Sequence, residues 1–510
     1  MKSELTKNFF KMITVVLTTL TVSFTSVNAQ NAKIQKADGK GTPKYIFVFI
    51  GDGMSYPQIQ SAAYYLGKDA AGIIGDVSKS SNKEDSPVSG SLSFFDFPIV
   101  GTAQTYDATS FAPDSASTAT SIFTGNKTHS GSIGVDITKR ISYPTIAEQL
   151  KQQKKWKIGV ISSVNVNHAT PAAVYAHVAS RKSYYEIGKQ LVASDFEYFA
   201  GGGVLSPEDK DGNSESIYSL AKKAGYTVCF EKEQAEALKN GDKALVIAED
   251  LAASDAFPYE NDREPNAWAL KDYVKKGIEV LDNKTGFFMM VEGGKIDWAC
   301  HANDARSSIA DTVAFSEAVD VAIDFYNKHP KETLILVTAD HETGGLTIGF
   351  SGTDYNLFFR TLDNQKISYA KFDSDYVSDY MKNQTSFETV MTDVEKLFGL
   401  KVPGSDGKNK NGGLVLTDYE YNRIKDAYKK TIADDKTRTQ QEYELYGTYT
   451  PLTITVTHIL NAKAGIGWTS NSHTGLPVPV YALGAGQNLF NGYYDNTDIY
   501  KKMASLTKVK

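Results

Sequence analysis

Cysteine is almost missing from this chain: only Cys229 and Cys300 occur in 510 residues. That excludes a disulfide-built scaffold, and two thiols alone cannot complete a structural zinc site. Any bound metal must be held mainly by imidazoles and carboxylates. An excess of basic charge is missing too. The formal charge is −6, and residues 1–29 supply three Lys against one Glu, so the remainder carries near −8. A general nucleic-acid binder would show a basic face, so no nucleic-acid partner is expected. No apolar run after the N-terminal stretch is long enough to span a membrane, and no internal repeat is visible. With 41% hydrophobic and 22% charged residues, the composition excludes disordered and collagen-like classes.

What is present begins with a leader. Lys2, Lys7 and Lys11 precede or flank an apolar, Thr-rich stretch from Met12 to about Phe24, and Val27-Asn28-Ala29 follows. This pattern predicts a signal peptide over residues 1–29, removed before Gln30, and so an exported, periplasmic or secreted protein. Residues 30–510 then form the catalytic domain.

Five short apolar runs end in clusters of Gly, Asp, Ser, Asn or His. They are Tyr45–Ile50, Lys157–Ile161, Phe287–Val291, Leu334–Thr338 and Val478–Leu483. Continuous apolar runs bounded by turn residues read as strands buried on both faces. Helical patterns such as Tyr143–Gln153 and Ala267–Leu281 lie between them. The alternation predicts an α/β fold with a mainly parallel central sheet and helices on both faces. Ligands then bind beyond the carboxyl ends of the strands, where the polar clusters fall. From about 350 to 455 the chain is polar and Tyr-rich, with a loop at Pro403-Gly404-Ser405-Asp406-Gly407. A helix is expected from Asp418 to Ala433, started by a capping box of Thr417 and Glu420. This segment reads as a rim insertion, with an independent domain as the alternative.

Several side chains carry chemistry in principle. Asp297 and His301, four apart, share one helix face and are zinc-competent. Asp340 and His341 directly follow a strand and precede two glycines. Asp52 stands between two glycines after the first strand, and His473 lies in a Ser/Asn/Gly loop. Ser115 falls at or near a helix N-terminus, where unpaired amides favour an alkoxide or a phosphate. On local evidence alone an ordinary cap, from Asp114 or from itself, is the better reading. Arg181 offers a planar fork matched to phosphate oxygens, or a surface ion pair.

Taken in order, these segments resemble the alkaline phosphatase family. The motifs are Gly51-Asp52-Gly53-Met54, Asp114-Ser115-Ala116-Ser117-Thr118-Ala119-Thr120, and His168-Ala169-Thr170-Pro171 with Ser180-Arg181-Lys182. Then come Val291-Glu292-Gly293 with Asp297 and His301, Thr338–Gly345, and His473-Thr474-Gly475. The resemblance runs from about Tyr45 to Gly486. It implies a phosphomonoesterase in which Asp297, His301 and His473 hold one zinc and Asp52, Asp340 and His341 a second. Asp52, Thr170 and Glu292 would hold a third ion, usually magnesium. Zinc takes imidazole and carboxylate, and magnesium takes oxygen. Two zincs can stabilise the attacking and leaving oxygens of an in-line displacement. Ser115 would attack phosphorus to give a phosphoserine, and Arg181 would clamp the phosphoryl oxygens beside Asp114.

His168 and Trp298 stand where some bacterial relatives carry Asp and Lys. A neutral His168 could approach the third ion directly and favour zinc or cobalt. Trp298 removes a positive charge that would reach the phosphate through water. His129, His177, His329 and His458 match no ligand position. Small phosphomonoesters are the expected substrates, and a homodimer accords with the family's habit. A phosphodiesterase or sulfatase of the same superfamily is the nearest rival. The sulfatase reading lacks the x-Pro-x-Arg that should follow its nucleophile, since Ala116-Ser117-Thr118-Ala119 follows Ser115. A phosphate-binding protein without turnover would need neither nucleophile nor zinc set.

Overall fold

The computed structural model describes residues 33–35, 38–67, 87–209, 211, 212, 214–405 and 414–510. The expected signal peptide, and Asp406 and Gly407 of the expected loop, lie outside the described residues.

In chain order the strands are β1 (Tyr45–Ile50), β2 (Ile99–Gln104), β3 (Lys157–Asn165), β4 (Tyr198–Gly202), β5 (Thr227–Cys229), β6 (Ala244–Ile247) and β7 (Phe287–Glu292). They continue with β8 (Thr333–Thr338), β9 (Glu342–Thr343), β10 (Thr347–Ile348), β11 (Ile466–Gly467), β12 (His473–Thr474), β13 (Val478–Gly484) and β14 (Gly492–Asp495). Ten of these form one sheet in the order β14-β2-β13-β8-β1-β7-β3-β4-β6-β5. All its pairings are parallel except those of β13, which runs against both β8 and β2. The mainly parallel α/β architecture expected from the sequence is therefore present.

The middle strands β1, β7 and β8 are buried along their whole length, as unbroken apolar runs require. Their register fixes the site. Ile50 pairs with both Glu292 and Thr338, and Glu292 pairs with Ser162 of β3. β1, β7 and β8 thus end level, and the residues just past them leave the sheet at one height, while β3 runs three residues further. β3 extends past its apolar run through Ser162, Ser163 and Asn165, whose hydroxyls and amide nitrogen are hydrogen-bonded internally. Asn165 Nδ2, for example, donates to the carbonyls of Gly203 and Ser254.

One expectation needs correction. The cluster Gly484-Ala485-Gly486 was placed with the others at the functional edge. Because β13 is antiparallel, Val480 pairs with Thr338 while Gly484 pairs with Leu334, so that cluster lies at the opposite edge. The cause is upstream. β12 pairs with β9 at the functional edge. Only Gly475–Pro477 separate it from β13. The chain must therefore enter the sheet from that side.

The helix patterns hold with later starts. One begins at Ile146 behind a Thr145–Glu148 capping box and runs on as a π-turn to Lys154, and another spans Leu270–Leu281. Between 350 and 455 the Thr417–Glu420 capping box forms, and its helix covers Asp418–Ile432. Apolar residues of this segment, among them Phe372, Val390, Phe398 and Ile424, belong to the same continuous core as the sheet. Cys229 and Cys300 are both buried free thiols.

Candidate active site

The loop after β1 places Asp52 between two glycines. Gly53 has φ +72°, and a Cβ there would stand 2.9 Å from both Asp297 Cα and Thr343 Oγ1. Only glycine fits this left-handed, crowded turn. Its N–H donates to Asp340 Oδ1 at 3.3 Å, tying the ends of β1 and β8 together.

Asp114, not Ser115, caps the helix Ser115–Thr124, accepting the Ser117 N–H at 3.1 Å. Ser115 is therefore the first residue of the helix, at the start of its first turn, whose Ser117 amide is already taken by Asp114. Its hydroxyl is buried, 3.2 Å from His341 Nε2 and 3.5 Å from Asp52 Oδ1. Asp114 also accepts from Gly131 N at 2.8 Å and from Arg181 Nη1 at 2.9 Å. Burial opposes its charge, but Arg181 and the Gly131 N–H outweigh burial and lower its pKa. Arg181 is thus fixed beside Ser115 rather than spent on the surface.

Three imidazoles converge. His301 Nδ1–H donates to the Asn471 carbonyl at 2.7 Å, and His473 Nδ1–H donates to the Pro113 carbonyl at 2.6 Å. These bonds commit both Nε2 atoms as lone-pair donors. Yet the two Nε2 atoms face each other at 3.0 Å. Two lone pairs at that distance need a cation between them. Asp297 supplies oxygens 3.4 Å from His301 Nε2 and 3.7 Å from His473 Nε2. Without an ion, a proton takes that place. Burial disfavours it, but Asp297 and the Asn471 carbonyl overcome burial and push His301 up to about 9.

A second group adjoins the first. His341 Nε2 lies 3.4 Å from Asp52 Oδ1 and 3.3 Å from Asp340 Oδ2, and its ring stacks on His473 with centroids 3.7 Å apart. The other oxygen of Asp52 faces Thr170 Oγ1 at 3.5 Å. Glu292 beside them is fully buried. One of its oxygens takes a short hydrogen bond from Ser162, and the other has no partner. An orphaned buried carboxylate oxygen of this kind fits a cation. Burial, then mutual repulsion, raises Asp52, and burial is likewise the leading cause that lifts Asp340 and Glu292 to about 7. Two clusters, Asp297–His341–His473 and Asp52–Asp340–His341, have ligand atoms within 4.8 Å of one another. The donor sets therefore fit metal ions.

Of the residues expected at the site, the structure brings Asp52, Ser115, Asp297, His301, Asp340, His341 and His473 into one cluster, with Thr170 and Glu292 along one side. His168 is placed differently. Its Nε2 takes a long hydrogen bond from Arg181 at 3.4 Å, its ring lies edge-on to Trp298 at 5.9 Å, and its Nδ1 is buried without a partner. Burial and Arg181 push it down to about 3, so the ring is neutral. Of the histidines set aside, His177 pairs with Glu148 at 3.0 Å and His458 with Asn303 Oδ1 at 2.9 Å.

Other functional residues were not visible in the sequence. Thr118 Oγ1 donates to Asp340 Oδ2 at 3.3 Å, and Thr343 Oγ1 donates to Asp297 Oδ1 at 2.5 Å. Glu342 accepts from Gln58 at 2.7 Å and from Gly345 N at 3.1 Å, and also from Thr474 beside His473. Asp107 is the largest omission. Its carboxylate accepts from the N–H groups of Thr109 and Ser110 at 2.7 Å each, from Ser117 Oγ at 2.7 Å and from Ser130 Oγ at 2.5 Å. Ser117 Oγ lies equally near Asp114, and Gly131 follows Ser130. Asp107 thus joins the loop before Ser115 to the segment that holds Arg181. Asp107→Asn puts an amide NH₂ where hydroxyl donors now point. We expect kcat/KM to fall about 10-fold, the worth of one hydrogen bond to a charged group, with Asp107→Ala falling further, measured on an aryl phosphate.

A sheet edge that gathers a helix-borne serine, a half-buried arginine and paired carboxylate–imidazole sets defines a class: metal-assisted hydrolases that attack an anionic ester. The comparisons with known proteins make the class specific. The family model for alkaline phosphatase matches residues 43–509. Alkaline phosphatase 4 of Bacillus subtilis (strain 168) is 31% identical over 478 residues, 92% of this chain and 89% of its own. Alkaline phosphatase 3 of the same organism is 31% identical over 512 residues, covering 98% and 97%. Among solved structures, the cold-active alkaline phosphatase of a psychrophilic Shewanella is 28% identical at TM-score 0.71, covering 91% of this chain and 99% of that one. The Thermus thermophilus alkaline phosphatase shares the fold at TM-score 0.71 and 22% identity, covering 94% of each chain. This chain belongs to the alkaline phosphatase family, and it is a phosphomonoester hydrolase.

Proposed function

We propose that Ser115 is the nucleophile and that hydrolysis passes through a phosphoserine. The observation that carries this reading is the placement of Ser115 Oγ, 3.2 Å from His341 Nε2 and 3.5 Å from Asp52 Oδ1, beside an Arg181 locked by Asp114. Asp297, His301 and His473 would hold one zinc, and Asp52, Asp340 and His341 another. Asp52, Thr170 and Glu292 would hold magnesium. Bound there, the ions supply positive charge that lowers the hydroxyl's pKa and stabilises the leaving oxygen.

The rest belongs to the chain. Ser115 would release its proton to solvent as its oxygen bonds phosphorus and the ester oxygen leaves with the alcohol, and the first turn of its helix aims that oxygen inside a buried site. That turn's amides, with Arg181, receive the non-bridging oxygens of the phosphoryl group. The transition state asks for little covalent help, so positioning and charge carry the rate. Asp114 does for Arg181 what Asp107 does for the loop: it removes rotational freedom before substrate arrives. His168 and Trp298 would sit at the phosphate's outer edge. Were His168 to turn from Arg181 to the third position, zinc or cobalt would compete there.

The same reading takes residues 1–29 as a cleaved export signal. Residues 350–455 form an insertion at the rim of one catalytic domain, and a homodimer is the assembly to look for. No helix among the described residues is long and apolar enough to cross a membrane. The test is turnover of an aryl phosphate monoester against an aryl diester and an aryl sulfate, with zinc and magnesium titrated into metal-free protein. The monoester should be faster by several orders of magnitude. Equal or greater diester or sulfate turnover would reject the reading.

A further inference from the structure

Phe111 stands four residues before Ser115 and is 87% exposed. A single exposed apolar side chain is ordinary and needs no explanation. What sets Phe111 apart is the backbone beneath it and the place it occupies. The loop is held on both sides of the ring. Asp107 accepts the N–H groups of Thr109 and Ser110 at 2.7 Å. The Ser110 hydroxyl lies 2.8 Å from the Ala112 carbonyl and 3.0 Å from its N–H. Two residues on, the Pro113 carbonyl takes the Nδ1–H of His473.

The Phe111 carbonyl oxygen also lies 3.0 Å from where a Cβ on Gly475 would be, so the loop packs directly on the strand that carries His473. Leu476, 43% exposed, comes next and adds apolar surface. The backbone under the ring is therefore held, and the ring stands in solvent on a loop that borders the cluster on the side of His473. The phosphoryl side of the site is already taken by Arg181, Asp114 and the first turn of the Ser115 helix. An in-line displacement sends the alcohol out opposite Ser115, toward Asp297, His301 and His473.

We propose that Phe111 is a specificity residue for the leaving group, offering its face to the apolar or aromatic part of the alcohol. Esters of aryl and other bulky apolar alcohols are then preferred over esters of small polyols. This inference rests on the phosphomonoesterase reading with Ser115 as nucleophile, and it goes beyond that reading in naming the alcohol class. Stacking on one aromatic ring is worth about 3- to 10-fold in kcat/KM.

The experiment uses the full chain with zinc and magnesium, with Phe111→Ala and Phe111→Leu. It compares naphthyl phosphate with glycerol phosphate, and adds the inhibition constant of inorganic phosphate. For Phe111→Ala we expect a 3- to 10-fold loss on naphthyl phosphate and a loss under about 2-fold on glycerol phosphate. Phe111→Leu should fall between, and phosphate inhibition should move by less than about 2-fold. Equal losses on both esters, or a comparable shift in phosphate inhibition, would overturn the proposal, because the ring would then act through the loop. Unaltered selectivity with a changed oligomeric mass would also overturn it and make Phe111 an interface residue. A wild-type protein that prefers a diester would defeat the underlying reading instead, and is distinguishable on the unmutated chain.

Discussion

Ser115→Ala is expected to lower phosphomonoester turnover by at least about 10³-fold, and to abolish any covalent phosphoenzyme. That loss corresponds to about 4 kcal/mol of transition-state stabilisation. The loss is large but not total, because the rest of the machinery stays intact. Arg181 keeps its bond to Asp114, and the imidazole–carboxylate sets keep theirs, so residual hydrolysis by water survives. Folding should be little affected. Asp114, the true cap, is untouched, and the serine hydroxyl's neighbours are ligand groups rather than packing partners. The measurement is steady-state kinetics on an aryl phosphate, with circular dichroism to confirm the fold. A variant that keeps wild-type turnover would remove Ser115 from the mechanism.

Metal removal is the second large effect, and its pH dependence has a definite sign. In the metal-free protein, burial is the leading cause that lifts Asp340 and Glu292 to about 7. Asp297 adds to the rise at both, and Glu292 adds to it at Asp340. The unfolded chain releases these protons near 4. Between pH 4 and 7 the folded state therefore binds protons that the unfolded state does not, and stability falls as pH rises. The buried imidazoles of His341, His473 and His168, pushed down mainly by burial, oppose this fall up to about pH 6.5, but His301 acts in the same direction as the carboxylates. Its folded pKa of about 9 lies above the ordinary imidazole value, so its contribution is present below about 6.5 and lost through 9. Chelated protein should thus be inactive, with a melting temperature that drops from pH 5 to pH 8. Zinc with magnesium should restore activity and raise the melting temperature by roughly 10 °C or more at pH 8, and by less at pH 5. Binding should also release protons into a weakly buffered solution. A chelated protein equally stable at both pH values would contradict the clustering of these carboxylates.

Much of this arrangement was legible in the sequence. β1, β7 and β8 announce themselves because strands buried on both faces must be continuously apolar. The Thr417–Glu420 capping box was legible because its partners are three residues apart. β2 escaped notice for the opposite reason: it lies near the sheet edge, and its residues alternate between buried and open. β4, β5 and β6 are short, and even the Gly201-Gly202-Gly203 turn that ends β4 follows an apolar run of only three residues. The direction of β13 could not be read locally, since it depends on β12 being pinned to β9. Among site residues, the ligand types stood out by chemistry and order. Asp107 did not, because its partners are turn amides and hydroxyls up to 23 residues away, which no short motif records. Ser115 was ambiguous locally, and the capping distance from Asp114 resolved the ambiguity. The pairing of Arg181 with Asp114 needed the fold, since 67 residues separate them.

The central claim is that Ser115 takes up phosphate, and acid-quench trapping tests it most directly. The metal-loaded protein is mixed with an aryl phosphate at mildly acidic pH, quenched in acid, digested and analysed by mass spectrometry. The account predicts a single phosphate on the peptide containing Ala112-Pro113-Asp114-Ser115, localised to Ser115 and absent from Ser115→Ala. Phosphate trapped on another residue, or no trapped phosphate under conditions of full turnover, would contradict it.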